Sequence, residues 1–246
     1  MKTIGLSQKL TARAGSLYLS MILTGIFAHL FVRANLTVPG DAALTAQNIL
    51  NKEFIFRLAF VSDLVYMVFF LFLGLVFYRM FQQTHKNCAR TLLVLVMVSN
   101  AMMGLNMLNH FAALYVLSEA EFLNVFQPEQ LQAFSLFFLE MHNYGIHIGY
   151  LFFGLWLLPL GYLVLKSTLF PGHWGKVFGV LLIAGFVGYE IDFFTYFIFP
   201  EQNAVISEFA TIPADLGELS LCFWLIFKGA IRKDKHKLVY SAINKR

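Results

Sequence analysis

FIFRLAFVSDLVYMVFFLFLGLVFY, residues 54–78, holds only two charged side chains, Arg57 and Asp63. About 20 helical residues cross the hydrocarbon core of a bilayer, so this stretch is long enough to span one. Its apolar residues do not alternate with polar ones as in a barrel strand, and lipid tolerates no open-edged sheet. It therefore reads as a transmembrane helix. Working outward, similar apolar runs occupy residues 14–32, 91–117, 131–165, 177–199 and 215–227. The composition agrees: 59% of the 246 residues are hydrophobic and 13% charged, against roughly 25% charged in a soluble domain. The expected fold is an all-α membrane protein, a six-transmembrane-helix bundle forming a single polytopic domain over residues 1–246, with no room for a separate soluble domain. Two cysteines, Cys88 and Cys222, are too few for a disulfide framework or a four-cysteine metal site.

The fourth run exceeds one crossing, so residues 131–141 are expected to project beyond the hydrocarbon or tilt, with a kink at Pro159. The first run follows basic residues as a signal peptide would. It lacks a small-x-small cleavage pattern near Arg33, and it is read as a retained span.

Orientation follows from the basic residues. Fifteen of the 18 lie before residue 14, around 79–90, at Lys166 and Lys176, or from Lys228 onward, whereas Arg33, Lys52 and Arg57 lie on the other side. Both termini are thus expected in the cytoplasm, in agreement with an even number of spans. The formal net charge of +4 and the basic tail 228–246 point to anionic lipid at the cytoplasmic face. No nucleic acid is expected, because the tail has few aromatic residues for base stacking.

Polar side chains at membrane depth cost on the order of 3 kcal/mol each near the centre and normally face the protein interior. At 1.5 Å per residue, His29 and Asp63 each lie about 24 Å above the basic end of their helices. Asn106, Asn109 and His110 on the third run, His142 and His147 on the fourth, Asp192 on the fifth and Glu218 on the sixth fall at comparable levels. The opposite half is Phe, Leu and Val. Helical spacing puts Ser99, Met103, Asn106 and His110 on one stripe. Glu140, Asn143 and His147 share a face, while His142 heads a seam of Gly145 and Gly149 that suits a close helix contact. Gly185, Gly188 and Asp192 form a similar seam with Glu190 on another face, and Gly25, His29 and Arg33 are stacked on the first run. One outward-facing polar pocket is the simplest common destination.

The outer loop, residues 34–53, adds a Pro39-Gly40 turn and a short helix over 42–50 that Asp41 can cap. Asp41, Thr45 and Asn48 are then either caps or a pocket rim, and the loop helix would lie over the pocket as a lid.

The stretches ARAGSLYL (12–19), PGDAALTAQNILNKEFIFRLAFVSDL (39–64), HNYG and its continuation (142–171), GYEIDFF (188–194) and ELSLCFWLIFKG (218–229) give the chain a family resemblance. It resembles the bacterial integral membrane family named domain of unknown function 4386. The resemblance implies a multi-pass protein of the bacterial cytoplasmic membrane. It also implies that Asp41, Thr45, Asn48, Arg57, Asp63, His142, Asp192 and Glu218 occupy motif positions, with His29, His110 and His147 outside the clearest motifs. It implies no particular activity.

Four functions fit these residues. A binding or transport protein would receive a small amphiphile or solute in the pocket, with Arg57 and Asp63 as anchors and His142, Asp192, Glu218, His29, His110 and His147 around it; no inverted repeat or pair of interrupted spans supports transport. An intramembrane metal-dependent hydrolase would hold a zinc-like ion on His142 with Asp192 or Glu218. Bis-histidine haem ligation would need opposed rings at matched depth. A structural or partner-binding subunit would use the same groups only to tie helices together.

Overall fold

The computed structural model describes the backbone of residues 2–170 and 172–243 and the side chains of residues 9–170 and 172–228. The side chains of the basic tail beyond Lys228, expected on lipid headgroups, lie outside the described residues. The chain is an all-α membrane protein, 89% helical, with no strand among the described residues. In order, α1 (Lys2–Ile26) continues through a π-helical segment, Phe27–Arg33, into one turn, α2 (Ala34–Leu36). Then come α3 (Ala42–Asn51), α4 (Glu53–Phe81), α5 (Lys86–Tyr115), a 3-10 turn at Glu121–Val125, α6 (Pro128–Lys166), α7 (His173–Ile198), α8 (Pro200–Ala210) and α9 (Ile212–Ile243).

Among the described residues, six stretches are long and apolar enough to cross a membrane: Lys9–Leu36, Glu53–Phe81, Lys86–Tyr115, Pro128–Lys166, His173–Ile198 and Pro200–Lys228. The sixth begins well before the expected residue 215. Glu201, Asn203, Ser207 and Glu208 give residues 200–210 the composition of a loop, yet Pro200 opens a helix there, its missing N–H being unneeded in a first turn. Thr211 interrupts the helix before α9 resumes at Ile212. Pro159 does not end α6, which runs through it. Large apolar side chains stay exposed on the spans: Val94, Leu105 and Leu108 on α5 are 56%, 70% and 67% exposed. Such a surface is a liability in water and is the ordinary contact of a span with lipid tails.

The π segment widens the first span. The Ala34 N–H donates to the His29 carbonyl, an i to i+5 bond. The Asn35 side chain donates to the Leu30 and Phe31 carbonyls at 3.0 and 3.2 Å, satisfying groups that the wider winding frees.

The described residues form two compact units whose boundaries fall inside α1, α4, α5 and α6. The first unit draws on residues 1–20, 69–97 and 150–246. Its core is aromatic: Trp156 packs edge-on against Tyr18 and Phe70, at 6.3 and 5.0 Å between ring centroids. Small residues bring helices together. A Cβ on Gly15 would stand 2.7 Å from the Ile226 nitrogen, and one on Gly179 2.8 Å from the Gly161 carbonyl oxygen. On α7, Gly185 faces Ala214 and Gly188 faces the Ala210 carbonyl, the close approach that their seam predicts.

The second unit comprises residues 21–68 and 98–149. Ala28, Val32, Leu36, Ile49, Phe56, Ala59, Ala113, Leu114 and Leu139 make its core. Ile49 ties α3 into this core, so the loop helix is a packed part of the unit. Its helices are also stitched by side chains donating to backbone carbonyls: Ser62 to Thr24 at 3.0 Å, Asn100 to Met67 at 2.9 Å and Ser135 to Ala113 at 2.7 Å. Each such bond contributes only about 0.6 kcal/mol in a membrane, so packing dominates and the bonds fix register.

Candidate functional site

The chemistry of the second unit begins at Gly145. A Cβ there would fall 2.1 Å from Asn106 Oδ1, so only glycine lets α6 approach α5 this closely. At that crossing Asn106 Nδ2 donates to the His142 carbonyl at 2.9 Å, Asn109 Nδ2 donates to Asn106 Oδ1 at 3.2 Å, and His142 Nδ1 lies 3.2 Å from the Asn106 carbonyl oxygen. A carbonyl can only accept, so Nδ1 carries the proton and Nε2 of the neutral ring presents a lone pair. His142 Nε2 is buried and makes no hydrogen bond. His110, fully buried, stacks on Phe56 at 4.3 Å and meets the His142 ring edge-on at 5.2 Å. The α5 stripe predicted from spacing does face inward, with Ser99, Asn106 and His110 all buried.

The buried Asp63 carboxylate is paired with Arg33 of the π segment. The Arg33 Nε remains buried and without a hydrogen bond. Arg33 and His142 line one cavity of about 290 Å³, together with His29, Ala34, Thr37, Pro39, Leu139, Glu140 and Asn143. Two of its lining residues thus carry a buried polar atom without a hydrogen bond, the donor Nε of Arg33 and the acceptor Nε2 of His142.

The other expected residues lie elsewhere or serve the loop. Arg57 forms an exposed pair with Glu53, one turn away, and lies over the Phe111 ring at 5.9 Å, so it does not line the cavity. Asp41 caps α3 by accepting from the Leu44 N–H at 2.9 Å. Thr45, fully buried, donates to the Val38 carbonyl and accepts from the Val38 N–H, and Asn48 donates to the Leu36 carbonyl. These three hold the loop together; Thr37 and Pro39 supply its cavity-lining atoms. His147 is half-buried on α6 and is absent from the lining.

Asp192 and Glu218 belong to the first unit. Asp192, fully buried, accepts from Asn203 Nδ2 at 3.0 Å and fastens α8 back onto α7. Glu218 Oε2 accepts from the buried Tyr18 hydroxyl at 2.9 Å. Among the described residues no three His, Cys, Asp or Glu side chains gather into a metal-binding group, and His142, Asp192 and Glu218 each take a different partner. The edge-on contact of His110 and His142 leaves no space for a porphyrin between their rings.

Arg33 is the site residue that the sequence disguised. At the end of the first span it reads as a flanking charge, and only its stacking with Gly25 and His29 hinted at an inward role. The π winding that carries it to Asp63 leaves no plain mark in the sequence.

The family model described as a domain of unknown function (DUF4386) matches residues 13–229. The chain belongs to that family. The matched region of this DUF4386 protein takes in the first span from Arg13 onward, the other five spans whole and every residue of the cavity. No curated protein and no solved structure matches the chain.

Proposed function

We propose that this DUF4386 protein is a binding protein of a bacterial cytoplasmic membrane that takes the head of a small neutral amphiphile into the cavity between the π segment, the loop that follows it and α6 in the second unit. The observation that carries this reading is that two residues lining one cavity each keep a buried polar atom without a partner, Arg33 Nε as donor and His142 Nε2 as acceptor. A head bearing a hydroxyl satisfies both, since an O–H donates to the imidazole and its oxygen accepts from the guanidinium. Buried polar groups left without partners cost about 1–3 kcal/mol each, which a correctly placed hydroxyl recovers and a methyl group does not. The guanidinium charge is already offset by Asp63, and Glu140 adds a carboxylate to the lining, which disfavours an anionic head. With the basic residues of the chain in the cytoplasm, this cavity opens toward the opposite face.

The test uses protein in lipid nanodiscs with monolauroylglycerol and methyl laurate as probes. Monolauroylglycerol raises the unfolding temperature in a saturable way, methyl laurate does not, and Asn143→Trp, which fills the cavity from an exposed lining position, removes the effect. Equal shifts from both probes, or an undiminished shift in Asn143→Trp, overturn the reading.

A further inference from the structure

A second cavity, of about 690 Å³, lies in the first unit between α1 and α4. Lys9, Ala12, Arg13, Ser16 and Leu17 line it from α1, a spacing of three and four residues that keeps them on one helix face. Phe72, Leu75, Val76 and Arg79 line it from α4 with the same periodicity. The composition is graded: the cations stand at the basic end of each helix and the apolar side chains follow inward. Lys9, Arg13 and Arg79 are exposed, no carboxylate belongs to the lining, and none of the three is in an ion pair among the described residues. Ser16 already donates to the Ala12 carbonyl, so the polar character of the groove is almost wholly cationic.

We propose that this groove is a binding site for one anionic glycerophospholipid of the leaflet that bathes the basic ends of the helices. The phosphate sits among Lys9, Arg13 and Arg79, and the first part of an acyl chain lies against Leu17, Phe72, Leu75 and Val76. From Lys9 to Leu17 a helix rises about 12 Å, enough for the headgroup and upper chain of a lipid but not for its full length. Long basic side chains lying along an apolar wall with their charges at the interface are the arrangement that recognises lipid phosphate. The groove on α7 lined by Phe186, Val187, Glu190, Ile191, Phe194 and Thr195 offers a contrast, since it has an acid and no cation and would repel the same headgroup. Lys166 and Lys176 are also exposed and lie outside this groove. The lipid site is independent of the amphiphile cavity.

Native mass spectrometry of the full chain, delipidated and back-titrated with phosphatidylglycerol or phosphatidylcholine, tests the assignment. One phosphatidylglycerol binds well above the non-specific background and phosphatidylcholine does not. Each cation removed weakens binding about fivefold, so the Lys9→Ala, Arg13→Ala, Arg79→Ala triple variant loses on the order of a hundredfold. The Lys166→Ala, Lys176→Ala control retains it, and unfolding of the lipid-free triple variant is unchanged because all three side chains are exposed. Equal binding of both lipids, equal losses in the triple variant and the control, or full competition by glycerol 3-phosphate, which has no acyl chain, would each overturn the proposal.

Discussion

Arg33 and Asp63, 30 residues apart in sequence, form a largely buried ion pair that joins the π-helical end of the first span to the middle of the second. Each side chain is little exposed, at 13% and 12%. Removing one partner of such a pair leaves a charge in a medium that cannot solvate it. Asp63→Ala is therefore expected to destabilise the protein by about 3 kcal/mol, and Arg33→Met with Asp63→Leu to recover most of that loss. Chemical unfolding of the single and double variants in detergent measures the coupling. A double variant no more stable than Asp63→Ala would remove the ion pair as the reason.

The approach of α6 to α5 gives a sharper steric expectation. Gly145→Ala places a methyl group 2.1 Å from Asn106 Oδ1 and displaces the bonds that hold His142. It should cost about 2 kcal/mol, whereas Gly104→Ala, whose nearest neighbour is Met67 Sδ at 4.0 Å, should be nearly neutral. Unfolding temperatures of the two variants decide it, and equal values would refute the close crossing.

On α7, a Cβ at position 188 would sit 1.8 Å from the Ala210 carbonyl oxygen, a backbone atom that cannot swing aside. Gly188→Ala should disrupt folding more than Phe186→Leu, which changes a side chain in an open groove. The yield of monodisperse protein after solubilisation reads the difference, with comparable yields speaking against the α7–α8 contact.

The spans were legible because membrane burial imposes a composition that few other environments tolerate, and the inward stripes of α5 and α6 followed from helical spacing alone. Residues 200–210 were missed because a polar helix closing back on Asp192 has the composition of a loop. The partner of Asp63 was not legible for a different reason. Arg57, the cation nearest to it in sequence, is satisfied one turn away by Glu53, while a change of helix type turns Arg33 inward. Helix type is set by how Asn35 and the surrounding packing absorb freed carbonyls, and periodicity at 3.6 residues does not register it.

The distribution of basic residues predicts both termini in the cytoplasm. Reporter fusions after Arg246 and within the segment 119–129 should report cytoplasm and exterior respectively. An external C-terminus would place the amphiphile cavity on the cytoplasmic face instead.

Photolabelling tests the cavity most directly. A monoacylglycerol carrying a diazirine beside its glycerol head, activated in nanodiscs containing the protein, should mark residues 29–39 and 139–143, and an excess of monolauroylglycerol should abolish the labelling. Label confined to lipid-facing positions such as Leu105 and Leu108, and insensitive to the competitor, would contradict a cavity that binds an amphiphile head.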